Sequence, residues 1–269
     1  MQKSGRVCRC CYLEARMTRP RAAAADSPSP ELFLRKATLA RTAGTRAKYA
    51  QRGLSHDGAL DRTTRTMLLR QLYLSHMEAR RFADALVVAE QMVEGAVMAD
   101  VAHQDAARAC LGLTDPVRAI VHLRIAGRVS PPTRRAFHLW TLGSVLFLAG
   151  QYGEAVGSLS RAARWGTTDK PLYRAQLALA RRASGETVSG LAGIRERLEE
   201  APCGQGYGQF VIGAIAFEER NDALSERYLT LFVQRTTSGR VALEVALSGE
   251  VAYARRLLRR IRTRRRRAG

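Results

Sequence analysis

The five histidines are the first side chains to consider for catalysis or metal binding. They are spread along the chain at His56, His76, His103, His122 and His138. No two of them have the H-x-x-x-H or H-E-x-x-H spacing that places two imidazoles on one helix face around a zinc ion. His103, Asp105 and His122 could be imagined as a metal cluster, but no matching motif accompanies them. We therefore predict no metal site among the histidines.

Three of the five cysteines, Cys8, Cys10 and Cys11, are crowded near the N-terminus. A zinc site would need paired ligands such as C-x-x-C with a second matching pair, and none follows. Cys110 and Cys203 lie in helical patterns, where a small buried thiol is the default. Five cysteines without the spacing of a disulfide framework argue against an oxidised, secreted scaffold. We therefore predict a cytoplasmic protein.

The glycine-rich run from Gly204 to Gly208 superficially resembles a phosphate-binding loop. It follows a helical pattern and not a strand, so a turn between helices is the expected structure. No G-x-x-x-x-G-K loop and no G-x-S-x-G nucleophile elbow occur in the sequence. Glu199 and Glu200 are adjacent and would point about 100° apart on a helix, so they are not a carboxylate pair. These observations predict no catalytic residues, no cofactor and no enzymatic activity.

The elements that would position any site are clearest from His138 to Thr168. Two helical patterns are joined by a turn here, and the buried face of each has the three-and-four spacing of a helix. The apolar positions are Leu139, Leu142 and Leu146, then Ala155, Leu159 and Ala162. Gly150 marks the break, because glycine adopts the left-handed conformation that ends a helix. Gly143 would let the two helices approach closely. Leu-Gly, Gly-x-Tyr, Glu-Ala and a spaced Ala together resemble the tetratricopeptide repeat, a helix-turn-helix unit of about 34 residues.

The start of the second helix of this unit recurs along the chain. The anchors are Phe82, Pro116, Tyr152, Thr187 and Asp222, each with a small residue three positions later, at spacings of 34, 36, 35 and 35 residues. A sixth anchor, Val251, follows after 29 residues and so requires a short first helix. We predict an all-α fold, and the resemblance implies a right-handed superhelix of about five to six such units.

The sequence divides into four parts. Residues 1–30 are expected to be a disordered basic leader that ends in a Pro/Ser/Ala linker, and translation could start at Met1 or Met17. No signal peptide or membrane anchor is expected there, because the leader lacks an apolar run. Residues 31–65 form a divergent helical cap, with Ser29 capping its first helix and Pro30 in the first position. Residues 66–261 form the repeat array and residues 262–269 a solvated basic tail.

The charge is strongly positive and unevenly placed. The net charge is +20, and residues 255–269 contain nine arginines and no acidic residue. Forty of the 44 basic residues are arginine, which together with the high alanine content suggests a GC-rich, bacterial genome. Three roles of the tail stay open: a solubilising cap, a phosphate contact with nucleic acid or an anionic membrane, and an address signal.

The resemblance also implies a concave groove, lined by the first helix of each unit, in which members of this family commonly bind peptides or helices of other proteins. Carried over to this chain, the groove residues are Arg70, Glu78, Gln104, Arg108, Trp140, Phe147, Arg182, Tyr207, Phe210 and Phe217, with Met67, Leu74, Leu111, Phe137 and Leu172 beside them. Aromatic residues are favoured at binding hot spots. Each aromatic could instead pack against the next unit.

The functional prediction follows from this groove. We predict a non-enzymatic scaffold or adaptor that binds a peptide or helix of a partner protein. A role as a chaperone cofactor is disfavoured, because Leu74 and Arg108 do not fit the carboxylate clamp that this family uses for chaperone tails. The alternative is a nucleic-acid-associated protein in which the arginine-rich tail contacts phosphates without reading sequence.

Overall fold

A computed structural model describes residues 29–56, 59–239 and 241–268. Within these residues the chain forms fourteen α-helices, one short 3-10 helix and no β-strand. The all-α prediction is therefore confirmed for the part of the chain that is described. The predicted leader with Cys8, Cys10, Cys11 and Met17 lies outside the described residues, as do Asp57 and Gly58.

The helices follow one another with short connections. They are α1 Pro30–Leu39, α2 Ala43–Leu54, α3 Arg62–Glu78, α4 Phe82–Glu94, α5 Ala99–Gly112, α6 Pro116–Val129, α7 Pro132–Leu148, α8 Tyr152–Trp165, α9 Lys170–Ala183, α10 Leu191–Glu200, α11 Tyr207–Glu218, α12 Asp222–Thr236, α13 Val241–Ala246 and α14 Ser248–Ala268, with the 3-10 turn Pro202–Gly204 before α11. From α1 to α12 each helix packs against the next one along the chain. This arrangement is compatible with a helical repeat.

Two helices, α1 and α2, occupy the segment predicted to be an N-terminal cap. The Ser29 Oγ accepts a hydrogen bond from the Leu32 N–H at 3.3 Å and Pro30 takes the first helical position, as expected. Both α1 and α2 pack against α3. Helix α3 begins at Arg62, because the Asp61 carboxylate accepts hydrogen bonds from the Thr63 and Thr64 N–H groups and caps the helix there.

The predicted close contact between α7 and α8 is confirmed. A Cβ atom added to Gly143 would lie 2.5 Å from Leu159 Cγ, so no side chain fits between these helices. The last pair repeats the arrangement, because a Cβ atom on Gly213 of α11 would lie 2.7 Å from Leu229 Cγ of α12. A small residue in one helix therefore receives a leucine of its partner in both places.

Four of the predicted second-helix starts are confirmed: Phe82, Pro116, Tyr152 and Asp222 begin α4, α6, α8 and α12. The fifth is wrong, because α10 begins at Leu191 and not at Thr187. Gly190 precedes it with φ +64°, a left-handed conformation that turns the chain into the helix. The sixth, Val251, lies within α14, which begins at Ser248 after the short α13.

The C-terminal helix is longer than the sequence indicates. Helix α14 continues past Ile261 to Ala268, so the expected end of the helix near Ile261 is wrong, while Arg262, Arg265, Arg266 and Arg267 on the added turns are exposed, as expected for this basic segment. Arg264 and Arg265 extend the helix along α12, because they form ion pairs with Asp222 at 2.9 Å and with Glu226 at 2.6 Å.

The short helix before α14 packs against helices from the first half of the chain. Helix α13 contacts α3 and α5, and Glu244 on α13 accepts a hydrogen bond from the Arg80 guanidinium at 3.0 Å. Helix α14 then packs on α12, α11 and α7. The junction of α13 and α14 therefore lies beside α3, α5 and α7.

Candidate partner-binding site

A cavity of about 540 Å³ lies between α5, α7, α11 and the junction of α13 and α14; we call it the Glu250 cavity. Its apolar walls include Leu111, Phe137, Trp140, Val145, Leu148, Leu243 and Leu247. Its polar side chains include Gln104, Arg108, Tyr207 and Glu250. The volume and the apolar walls with a few polar groups are typical of ligand sites in proteins.

A chain of hydrogen bonds forms the polar side of this cavity and joins α7, α9, α11 and α14. The Trp140 indole Nε1 donates to Gln176 Oε1 at 2.5 Å. The Gln176 amide donates in turn to Ser144 Oγ at 2.9 Å and to Tyr207 Oη at 3.1 Å. The Tyr207 hydroxyl donates to Glu250 Oε1 at 3.2 Å. Because each side chain is held by its neighbours, Trp140 and Tyr207 are fixed before any ligand arrives.

Glu250 is the most unusual group in the cavity. Its side chain is buried, with 6% of the residue exposed, and burial raises its pKa to about 7. No basic side chain in the part of the chain that the structure describes forms an ion pair with it. Burial and the neighbouring Glu250 carboxyl also raise the pKa of Tyr207. Buried titratable groups with shifted pKa values in a cavity are a mark of functional sites.

Asp105 does not line the cavity, but it binds Arg108, which does. Its buried carboxylate is 3.0 Å from Arg70 Nε and 3.3 Å from Arg108 Nη1, and the Tyr73 hydroxyl donates to its backbone carbonyl at 2.9 Å. Burial raises the pKa of Asp105, while the two guanidinium groups oppose that shift. The shared carboxylate holds α3 to α5 and keeps Arg108 at the cavity wall.

A second buried network joins α5 to α7. His138 Nδ1 lies 2.8 Å from Gln104 Oε1, and its Nε2 lies 3.0 Å from Asp100 Oδ2. Arg134 binds both oxygens of Asp100, at 2.7 and 2.9 Å. Burial lowers the pKa of His138, and Asp100 opposes that shift. These contacts join residues 34 to 38 positions apart, close to one predicted period.

Four of the ten predicted groove residues line the Glu250 cavity: Gln104, Arg108, Trp140 and Tyr207, with Leu111 and Phe137 beside them. Three predictions are corrected, because Phe147, Phe210 and Phe217 are only 1%, 0% and 5% exposed and cannot touch a partner. Helix α14 covers them: the Tyr253 ring packs on Phe147 and Phe210, and Arg264 lies over Phe217.

The remaining three predicted residues lie outside the cavity. Arg70 binds Asp105, Glu78 forms an ion pair with Arg46, and Arg182 lies 3.9 Å from Glu218. Met67, Leu74 and Leu172 do not line the cavity either. Sequence reasoning missed Glu250 and Leu247, because their place depends on the return of α13 and α14. The available signal in the sequence was the acidic Glu250 directly before Val251, the first apolar residue of the buried face of α14.

The structure also locates the residues considered for metal binding. His103 and His122 do meet, with their Nδ1 atoms 3.0 Å apart, and burial lowers the pKa of both. Asp105 is directed to Arg70 and Arg108 instead. Among the described residues no group of three or more potential ligands could hold a metal ion.

The comparisons with known proteins give no match. No protein-family model matches the chain, and no curated protein matches it significantly. None of the described helices is both long and apolar enough to cross a membrane.

Proposed function

We propose that the chain is a cytoplasmic scaffold or adaptor of the tetratricopeptide-repeat type, a right-handed helical array that binds a short peptide or helix of a partner protein in the Glu250 cavity. The observation that carries the proposal is the cavity itself, where Phe137 and Trp140 stand on the wall beside the fixed Tyr207 and Glu250. The repeat assignment rests on the residue pattern and on the consecutive packing of the helices.

The chemistry of the cavity supports a peptide ligand. Phe137 is 38% exposed and Trp140 is partly buried, so both can cover an apolar side chain that enters the cavity. Aromatic anchors in such pockets contribute much of the binding energy at protein interfaces. The hydrogen-bonded Trp140 and Tyr207 lose little conformational freedom on binding, which lowers the entropic cost of association.

Helix α13 limits the length of the ligand. It lies against α3 and α5, where the resemblance would place the first part of a continuous groove. The open part is therefore confined to α5, α7, α11 and the start of α14. We infer that a partner inserts one short segment, and not an extended chain that runs along every unit.

A selected peptide tests the proposal. Peptides would be selected by display against the purified chain, and the dissociation constant of the best one measured by calorimetry. Phe137→Ala should weaken binding about tenfold or more, because it removes an exposed anchor. Trp165→Ala, an exposed aromatic outside the cavity, is the matched control and should leave affinity unchanged. Equal affinity of Phe137→Ala and the wild type would contradict the proposal.

A second candidate function, phosphate contact with nucleic acid, rests on the outer face of α14. Arg256, Arg259, Arg260, Arg264 and Arg267 surround one shallow depression on this helix. Arg264 is paired with Asp222, so fewer arginines are available than the sequence indicates. The logarithm of the binding constant for duplex DNA should then fall linearly with the logarithm of the salt concentration, with a slope of about −0.9 per phosphate contact. The double change Arg259→Gln and Arg267→Gln should flatten that slope, and an unchanged slope would remove this candidate.

A further inference from the structure

A second concavity, of about 680 Å³, lies between α6, α7 and α8; we call it the Arg135 cleft. None of its lining residues belongs to the Glu250 cavity. Arginines enter it from all three helices, and the buried Leu139, Leu142 and Leu146 of α7 form its floor. The scaffold function proposed above does not use this cleft.

The cleft has an excess of positive charge. Four arginines line it together with one carboxylate, that of Glu154, and Arg124 Nη2 binds this carboxylate at 2.5 Å. The guanidinium groups of Arg128, Arg135 and Arg161 have no carboxylate partner among the described residues. Three unneutralised guanidinium groups around one concavity attract anions, and their planar N–H groups suit phosphate and carboxylate oxygens.

Arg135 is already held in position for such an anion. Its Nη2 donates to the Ser130 carbonyl at 3.0 Å, and its guanidinium carbon lies 5.8 Å from the centre of the Trp165 ring. Its Nε is buried and has no hydrogen-bond acceptor in the described part of the chain. A buried donor without an acceptor is costly, so an oxygen atom that reached it from the cleft would be bound favourably.

The apolar parts of the cleft indicate what the anion carries. Trp165 is 46% exposed and lines the cleft, so its indole ring is accessible to a planar group. Gly157 lies on the α8 wall, and a Cβ atom added there would meet nothing within 4 Å, so the space in front of this helix is open. The volume is that of a site for a small organic molecule, and aromatic side chains stack on nucleobases of any type.

We propose that the Arg135 cleft binds a nucleoside phosphate. The phosphate lies between Arg128, Arg135 and Arg161, and the base stacks on Trp165. A phosphate carries about two negative charges near neutral pH and neutralises more of this site than one carboxylate does. The three α7 leucines exclude water from one side of the ligand, which strengthens the charge-assisted hydrogen bonds.

The test uses the purified full chain and calorimetric titration with each of the four ribonucleoside 5′-monophosphates. At least one should bind, and the matching nucleoside and inorganic phosphate should each bind about tenfold more weakly or worse, because each lacks one half of the contacts. Arg161→Gln should weaken binding about tenfold or more. Arg164→Gln, an exposed arginine on the same helix outside the cleft, should not change it.

A steric pair of variants separates binding in the cleft from loss of the fold. Gly157→Leu should abolish binding, because the new side chain fills the open space on the α8 wall. Gly153→Leu is its control: this helical glycine also has nothing within 4 Å of an added Cβ atom, and it does not line the cleft. Both variants should melt at or above the wild-type temperature, because leucine favours helix over glycine.

Four results would overturn the proposal. The first is no binding of any of the four nucleotides at millimolar concentration. The second is unchanged binding in both Gly157→Leu and Arg161→Gln, which would place the nucleotide elsewhere. The third is equal binding of inorganic phosphate and of the nucleotide, which would remove the stacking role of Trp165. Retention by anionic lipid vesicles without nucleotide binding would likewise assign the arginines to a membrane surface.

Discussion

Replacing Glu250 by glutamine should stabilise the protein above neutral pH. Burial raises the Glu250 pKa from 4.5 to about 7, so the folded state retains a proton that the unfolded state has lost between these values. Stability therefore falls as pH rises from 4.5 to 7, and the loss is complete above 7. At 1.36 kcal/mol per pKa unit, the full penalty is about 3 kcal/mol. A glutamine in the same place has no charge to bury, and its oxygen can still accept from the Tyr207 hydroxyl.

The assay is denaturant unfolding of the wild type and Glu250→Gln at pH 5, 6, 7 and 8. The stability difference between the two should grow with pH and become constant above pH 7. Glu200→Gln on α10, an exposed carboxyl, is the control and should show no such growth. A difference that does not change with pH would refute the reasoning, because it would mean that the Glu250 carboxyl is solvated and that α14 does not begin against Tyr207.

Three further predictions concern packing and charge. Gly143→Leu should lower the unfolding free energy by about 1–3 kcal/mol through overpacking against Leu159, and Gly153→Leu on the open face of α8 should not; equal melting temperatures would disprove the close α7–α8 contact. Asp105→Asn should lower the free energy of unfolding, measured with urea, by about 3–5 kcal/mol, because two arginines lose the buried carboxylate that they share. The control Asp84→Asn, at an exposed carboxylate, should change the unfolding free energy little. Arg264→Gln should cost about 1 kcal/mol or less, and full retention of stability would show that its ion pair with Asp222 contributes nothing.

Most helices between α3 and α12 could be predicted because their sequence signals are local. Gly143 and Gly150 each have a role within one helix pair, and the starts at Pro116 and Tyr152 follow from the repeated spacing. The predicted helix start at Thr187 was wrong, because Gly190 adopts a left-handed conformation just before α10. Nothing in the surrounding apolar pattern indicates that conformation. The predicted end of α14 near Ile261 was wrong, because the ion pair from Arg264 to Asp222 joins residues 42 positions apart and leaves no local signal in the sequence.

The candidate site could be predicted only in part for the same reason. Trp140 and Tyr207 were assigned to the groove from the repeat pattern of the sequence, and both line the cavity. The pattern also assigned Phe210 to the groove, but it cannot tell a groove position from one that another element covers. Glu250 reaches Tyr207 from 43 positions away, and only the direction of the chain after α12 brings them together.

Hydrogen exchange of the selected peptide complex tests the central claim most directly. Peptide binding in the Glu250 cavity should slow amide exchange in α7 and in residues 241–250, and should leave exchange in α6 and α8, on the side of the Arg135 cleft, unchanged. With the same peptide concentration, the Phe137→Ala variant should show no slowing of amide exchange in these segments. The Trp165→Ala variant should show the same slowing as the wild type. Protection confined to α6 and α8, or none in α7 and residues 241–250, would contradict peptide binding in the Glu250 cavity.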